Sequence, residues 1–172
     1  MSLAYLYSDL KSIAGSEHKL RLLKSLVFDH TAHLTIMLRL GQSFLSIPYI
    51  GRILSFVVEY LIRVIYASDI SCKAKLGPGL CIMHGHDIVI GADVVVGENF
   101  KIFNGVTLGN KDLTATSKDS QPKIGNNVTV CTGAKVLGAL ELGCNIIVGA
   151  NSVVLKSFGN GCTLVGVPAR AI

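Results

Sequence analysis

The chain has no tryptophan, and five tyrosines and six phenylalanines make up only 6% of its 172 residues. That leaves no stacking platform for nucleic acid, and a net charge of +5 is too moderate to argue for one. The same mild basicity suits an anionic cofactor. No two cysteines are spaced C-x-x-C, and their number, five, is odd: Cys72, Cys81, Cys131, Cys144 and Cys162. This argues against a disulfide framework or a zinc knuckle and for a reducing cytoplasm. Asp9 and Lys11 come early, with no signal-peptide core around them. No uncharged apolar run reaches the roughly 18 residues that cross a bilayer. The most apolar stretch, 44–67, is interrupted by Arg52, Glu59 and Arg63, so peripheral contact with a membrane surface is the most it implies. Charged residues are scarce at 16% against a hydrophobic share of 50%, more than one core needs. The excess points to a large interface between subunits.

What the chain does have is a metre of six. Bulky apolar residues open successive units at Ile70, Leu76, Ile82, Ile88, Val94, Phe100 and Val106. After a gap they resume at Ile124, Val130, Val136, Leu142, Val148 and Val154. A period of six fits neither a helix nor a half-buried alternating strand. It fits a chain that runs straight, turns a corner and stacks coil on coil, about eighteen residues to a triangular turn. In the gap, Asp112 and Lys118 stand where openers belong. Charges cannot face the core there, so 112–123 reads as a loop thrown out from a corner, and unstructured loops of this length are often functional. After Phe158 the pattern is expected to dissolve into a closing tail.

Residues 1–67 read as a helical cap over the open end of the stack, ahead of a β-helical domain at 68–172. Leu3, Leu6, Leu10 and Ile13 recur at helical spacing, with Gly15 as a stop. A second helix is expected from Glu17 to about Phe44, closed by Pro48. A third is expected from Tyr49 to Tyr66, with Glu59 and Arg63 paired at i,i+4.

Ordered segments along the chain resemble one family. They are Asp69-Ile70-Ser71, Gly79-Leu80-Cys81-Ile82-Met83-His84, Ile88-Val89-Ile90-Gly91 and Gly105-Val106-Thr107-Leu108-Gly109. Gln121-Pro122-Lys123-Ile124-Gly125, Thr132-Gly133-Ala134-Lys135-Val136-Leu137-Gly138, Gly149-Ala150-Asn151-Ser152 and Val165-Gly166-Val167-Pro168-Ala169-Arg170 follow. The pattern resembles the hexapeptide-repeat acyltransferases, and within them the serine acetyltransferases. The resemblance implies a mainly β fold, a left-handed parallel β-helix assembled as a homotrimer with active sites between subunits. General rules of handedness would have favoured the opposite sense.

It also implies acetyl-CoA as donor and a histidine as base for the acceptor hydroxyl. His84 matches the catalytic histidine and Asp69 its partner. Counting eighteen residues from Asp69 reaches Asp87, so the carboxylate is expected one coil below a point near His84, where it would orient the imidazole. Matched donor contacts are Gly109, Asn110, Thr132, Gly133 and Ala150, with Lys135 and Arg170 for nucleotide phosphates. His86 is a candidate for binding the acceptor. A metal is not expected, because His84 and His86 lack a third imidazole: His18, His30 and His33 lie in the cap. Nothing near Cys81 argues for a thiolate nucleophile.

Three acceptor positions depart from the family. Met83 replaces an aspartate, and Ser120 and Gln121 replace an Arg-His pair. Met83 offers an ammonium no charge, and Ser120 offers a carboxylate no bidentate fork. An O-acetyltransferase acting on a sugar of a surface polysaccharide or its precursor is therefore the favoured reading. Serine acetylation in cysteine biosynthesis is one alternative and a non-catalytic β-helical scaffold another. The helical part is shorter than the family's, which leaves the pairing of trimers open. With no flexible tail after Arg170, docking onto a partner enzyme is not expected.

Overall fold

The computed structural model describes residues 2–112, 114 and 120–172. A 3-10 turn at Ser2–Tyr5 leads into α1 (Leu6–Ala14), α2 (Lys19–Phe28), α3 (His30–Phe44) and α4 (Gly51–Tyr66). Gly15 ends α1 in the left-handed region, at φ 59°. The long helix expected from Glu17 to Phe44 is two helices, because Asp29 breaks it. Asp29 is extended, and its carboxylate accepts the Thr31 N–H at 2.9 Å, capping α3. Tyr49, at φ 63°, stays outside α4. The Glu59–Arg63 pair does not form either. Glu59 accepts the Cys72 N–H at 2.7 Å, while Arg63 donates to Asp69 at 2.6 Å. Each finds a partner on the first coil, where Glu59 satisfies a backbone donor; an exposed helix pair offers only a few tenths of a kcal/mol.

From Asp69 the chain winds through three parallel sheets, which we call faces A, B and C. Face A holds Asp69–Ile70, Val89–Ile90, Thr107–Gly109, Lys135–Leu137 and Val153–Val154. Face B holds Lys75–Leu76, Val95–Val96, Lys123–Ile124 and Glu141–Leu142. Face C holds Cys81–Ile82, Lys101–Ile102, Thr129–Val130, Ile147–Val148 and Thr163–Gly166. Inward residues such as Ile70, Ile90, Leu108, Val136 and Val154 stack into one aliphatic core. Each contributes roughly 1.5–3 kcal/mol by leaving water.

The metre of six is not in a single phase. Asp69 pairs with Val89, 20 residues on, and Cys81 with Lys101. Two extra residues enter the first coil between Ile82 and Ile90, at the corner that carries His84 and His86. The openers read at Ile88, Val94, Phe100 and Val106 therefore sit two residues ahead of the strand register. They are buried all the same. Residues two apart on a strand face the same way, so the apolar pattern runs through the insertion unbroken. As a result Asp69 lies beneath Val89, not Asp87.

The loop leaves the prism between faces A and B, and it lengthens the step from Val95 to its partner Lys123 to 28 residues. Asp112 accepts from the Thr114 N–H within it; Lys118 lies outside the described residues. The tail does not simply dissolve. Thr163–Gly166 adds a rung beside Ile147–Val148, and Ala169–Ala171 folds back antiparallel over it, covering the last edge.

At the other end Arg39 of α3 closes the stack. Its guanidinium donates to Asp9 at 2.8 Å and to the carbonyls of Leu76 and Gly77 at 2.8 and 2.7 Å. Asp9 also accepts the Leu80 N–H at 2.8 Å. Both side chains are fully buried, and the partners that make this tolerable are the first coil's own end groups.

Candidate active site

The edge where face C turns into face A collects Met83–Asp87, Phe103–Gly105, Cys131–Gly133 and Gly149–Asn151, one segment per coil. His84 stands exposed on the lowest, its ring edge-on to Phe103 with centroids 6.2 Å apart. Its neighbour Gly85 is buried against the helices. A Cβ there would come within 2.8 Å of Leu34 and 3.4 Å of Tyr66. A side chain would push the histidine corner off α3 and α4.

Ser68 holds that corner from below. Its hydroxyl lies 3.1 Å from the Gly85 carbonyl and accepts the Ile88 N–H at 3.0 Å. The Asp87 N–H reaches the Ala67 carbonyl at 3.2 Å. Sequence reasoning passed over Ser68, which positions the two-residue insertion. Its signal was its place between the last helix and Asp69.

Asp69 lies at the foot of face A with its exposed carboxylate on Arg63. Among the described residues no carboxylate hydrogen-bonds to His84. The bond to Asp69 keeps Arg63 protonated still higher than usual. Cys81 is buried, and burial raises its thiol pKa, so it is no thiolate. Its Sγ lies 3.6 Å from the Met83 sulfur. Among the described residues no cluster of three metal-ligating side chains occurs.

Higher on the same edge, Thr132 and Gly133 bond to Asn104: hydroxyl to side-chain oxygen at 3.2 Å, N–H to carbonyl at 2.9 Å. Ala150 is exposed above them. Gly105 and Gly133 both adopt positive φ, 69° and 72°. Gly105 is buried and Gly133 half-buried, with the Asn151 side-chain oxygen lying 2.2 Å from where a Gly133 Cβ would stand. Lys135, on face A, donates to the Gly105 carbonyl at 2.6 Å and to the Thr107 hydroxyl at 3.0 Å. It braces the edge instead of standing ready for a phosphate. Arg170 is exposed on the closing hairpin.

The remaining candidates lie elsewhere. Gly109, Asn110, Ser120 and Gln121 belong to the corner between faces A and B, at the two ends of the loop. Gln121 is buried, and its Oε1 accepts the Asp93 N–H at 2.9 Å, tying the returning loop to the coil below. One chain therefore divides the candidate residues between two edges of the prism.

No protein-family model matches the chain. It is 43% identical over 129 residues to the serine acetyltransferase of Synechococcus elongatus, covering 73% of this chain and 49% of that protein. The crystal structure of the Brucella abortus serine acetyltransferase matches 99% of this chain and 68% of its own, at 30% identity and a TM-score of 0.86. The same enzyme in complex with coenzyme A matches with a TM-score of 0.87 at 29% identity, covering 99% and 67%. The soybean serine acetyltransferase complexed with serine gives 0.87 at 28%, covering 99% and 69%. The prism is thus a left-handed parallel β-helix carrying a helical N-terminal region. The chain belongs to the serine acetyltransferase family of hexapeptide-repeat acyltransferases. It spans about half the length of the curated relatives it matches.

Proposed function

We propose that the chain is an acetyl-CoA-dependent O-acetyltransferase with His84 as its base and serine as its acceptor. The observation that carries this reading is the match, over 99% of the chain, to a serine acetyltransferase holding coenzyme A and another holding serine. His84 takes the proton from the acceptor hydroxyl, whose oxygen attacks the thioester carbonyl. The tetrahedral intermediate collapses with loss of the coenzyme A sulfur, which recovers the proton from the imidazolium. Exposed Thr132 and Ala150, beside the half-buried Gly133, are the proposed contacts of the pantetheine arm.

In this reading the working unit is a homotrimer. His84, Thr132 and Gly133 lie on one edge of the prism and Gly109, Asn110 and Ser120 on another, so packing edge against edge between subunits would unite them. Asp69 is the proposed partner of His84, reached when the acceptor or a neighbouring subunit draws Arg63 away.

A saccharide hydroxyl is the second reading. It rests on Met83, whose thioether faces Cys81 and carries no charge for an ammonium, and on Gln121, whose oxygen is already bonded. Thiol release from acetyl-CoA, measured with serine, homoserine and a panel of sugars, separates the two. Turnover with serine at the rates of ordinary metabolic enzymes supports the first; turnover with a sugar alone replaces it with the second. No thiol release with any acceptor leaves a β-helical scaffold.

A further inference from the structure

α2 carries its apolar stripe on the wrong side for a globular protein. Leu20, Leu23 and Val27 fall on one side of the helix, with Leu26 and Phe28 flanking them. All five are exposed, Leu20 by 69% and Phe28 by 78%. Ser25 is the helix's buried residue, and it lies on the opposite side. A surface helix ordinarily turns such a stripe to the core.

The charges are as unusual as the stripe. Ten residues hold Lys19, Arg21 and Lys24 and no acid. Cations at a helix N-terminus oppose its dipole, and His18 supplies no side-chain cap. Helix stability therefore does not account for them. Among the described residues none of the three joins an ion pair. A second copy laid against this face would bring like charges together, whereas anionic headgroups complement both the cations and the stripe between them.

We propose that α2 is a membrane-surface helix that docks the protein on anionic lipid. It lies in the interfacial plane, with Leu20, Leu23, Val27 and Phe28 sunk among the upper acyl carbons and Lys19, Arg21 and Lys24 at headgroup level. This is docking on a surface, not insertion: among the described residues no helix is long and apolar enough to cross a membrane. The inference stands apart from the choice of acceptor.

The test is cosedimentation of the full chain with vesicles of phosphatidylcholine alone and of phosphatidylcholine mixed with phosphatidylglycerol. The protein pellets with the mixed vesicles and not the neutral ones, and its binding weakens as salt rises. Joint replacement Lys19→Gln, Arg21→Gln and Lys24→Gln lowers affinity about 100-fold, at roughly fivefold per cation. Gln is a good helix former, so helix loss does not confuse that result. Leu23→Gln with Phe28→Gln also releases the protein, and both variants keep the wild-type circular dichroism. A wild type that stays in solution with mixed vesicles, or binds neutral ones equally, overturns the proposal. So does a Leu23→Gln/Phe28→Gln variant that binds vesicles unchanged, or one that only lowers the mass of a lipid-free assembly, since the face would then belong to a second copy.

Discussion

Two edges of the prism turn the chain through the same left-handed backbone corner, yet their middle coils are furnished differently. On the edge between faces B and C the positive-φ column is Gly79, Asn99, Asn127, Asn145 and Gly161, the three consecutive asparagines standing at 55°, 56° and 58°. Their amides form a ladder, Asn99 to Asn127 at 3.0 Å and Asn127 to Asn145 at 3.2 Å. On the edge between faces C and A the matching column reads Asp87, Gly105, Gly133 and Asn151. Both residues tolerate the corner, but asparagine brings an amide that can bond to the next coil, whereas glycine depends on a neighbour's side chain to cover it. Gly133 lies under the Asn151 amide and Gly79, on the first edge, under that of Asn99. What separates the edges is the amide ladder through the middle coils of one and the glycine pair in the middle of the other.

The largest effect that bears on this contrast is expected from His84→Ala. Turnover should fall by about two to four orders of magnitude with acetyl-CoA affinity little changed. Wild-type rates in that variant would mean the edge between faces C and A is not catalytic. Gly133→Ala comes next. A Cβ there meets the Asn151 oxygen at 2.2 Å and holds a left-handed corner. It should destabilise by about 1–2 kcal/mol and raise KM for acetyl-CoA on the order of tenfold. A stability loss with unchanged KM would put the donor elsewhere.

Asn127→Ala in the amide ladder should cost a similar figure, about 1–2 kcal/mol, in denaturant unfolding while leaving kcat and both KM values unaltered. Kinetic damage there would erase the distinction between the edges. Smallest is Arg63→Gln. Its ion pair with Asp69 is exposed and screened by solvent, so stability should hardly move. If Asp69 serves His84, freeing it should shift the pH profile of kcat/KM; an unmoved profile removes Asp69 from the proposed mechanism.

Much of this was legible in the residues. The aliphatic metre at Ile70, Leu76 and Ile82 and its return at Ile124 announce stacked coils, because inward positions tolerate little else. Gly15 marks the end of α1 for an equally local reason. The extra pair of residues in the first coil was hidden, since Ile88 and Ile90 are both buried and either can be read as the opener. The partners of Glu59 and Arg63 were hidden too, because helical spacing is visible in sequence and a nearby strand end is not. Ser68 looks like any helix-terminal serine until the corner it holds is seen. Lys135 looks like a phosphate ligand until its ammonium is found on the Gly105 carbonyl.

By itself the sequence determined the repeating coil and the aliphatic core, since both follow from short-range periodicity and residue chemistry. Only the tertiary structure decided which coil corner His84 occupies, which carboxylate faces Arg63, and that the candidate residues stand on two separate edges. Those relations rest on strand pairings between positions 20 to 28 residues apart, or on a strand end met six residues beyond Arg63. A single inserted pair resets them without leaving any mark on the local apolar pattern.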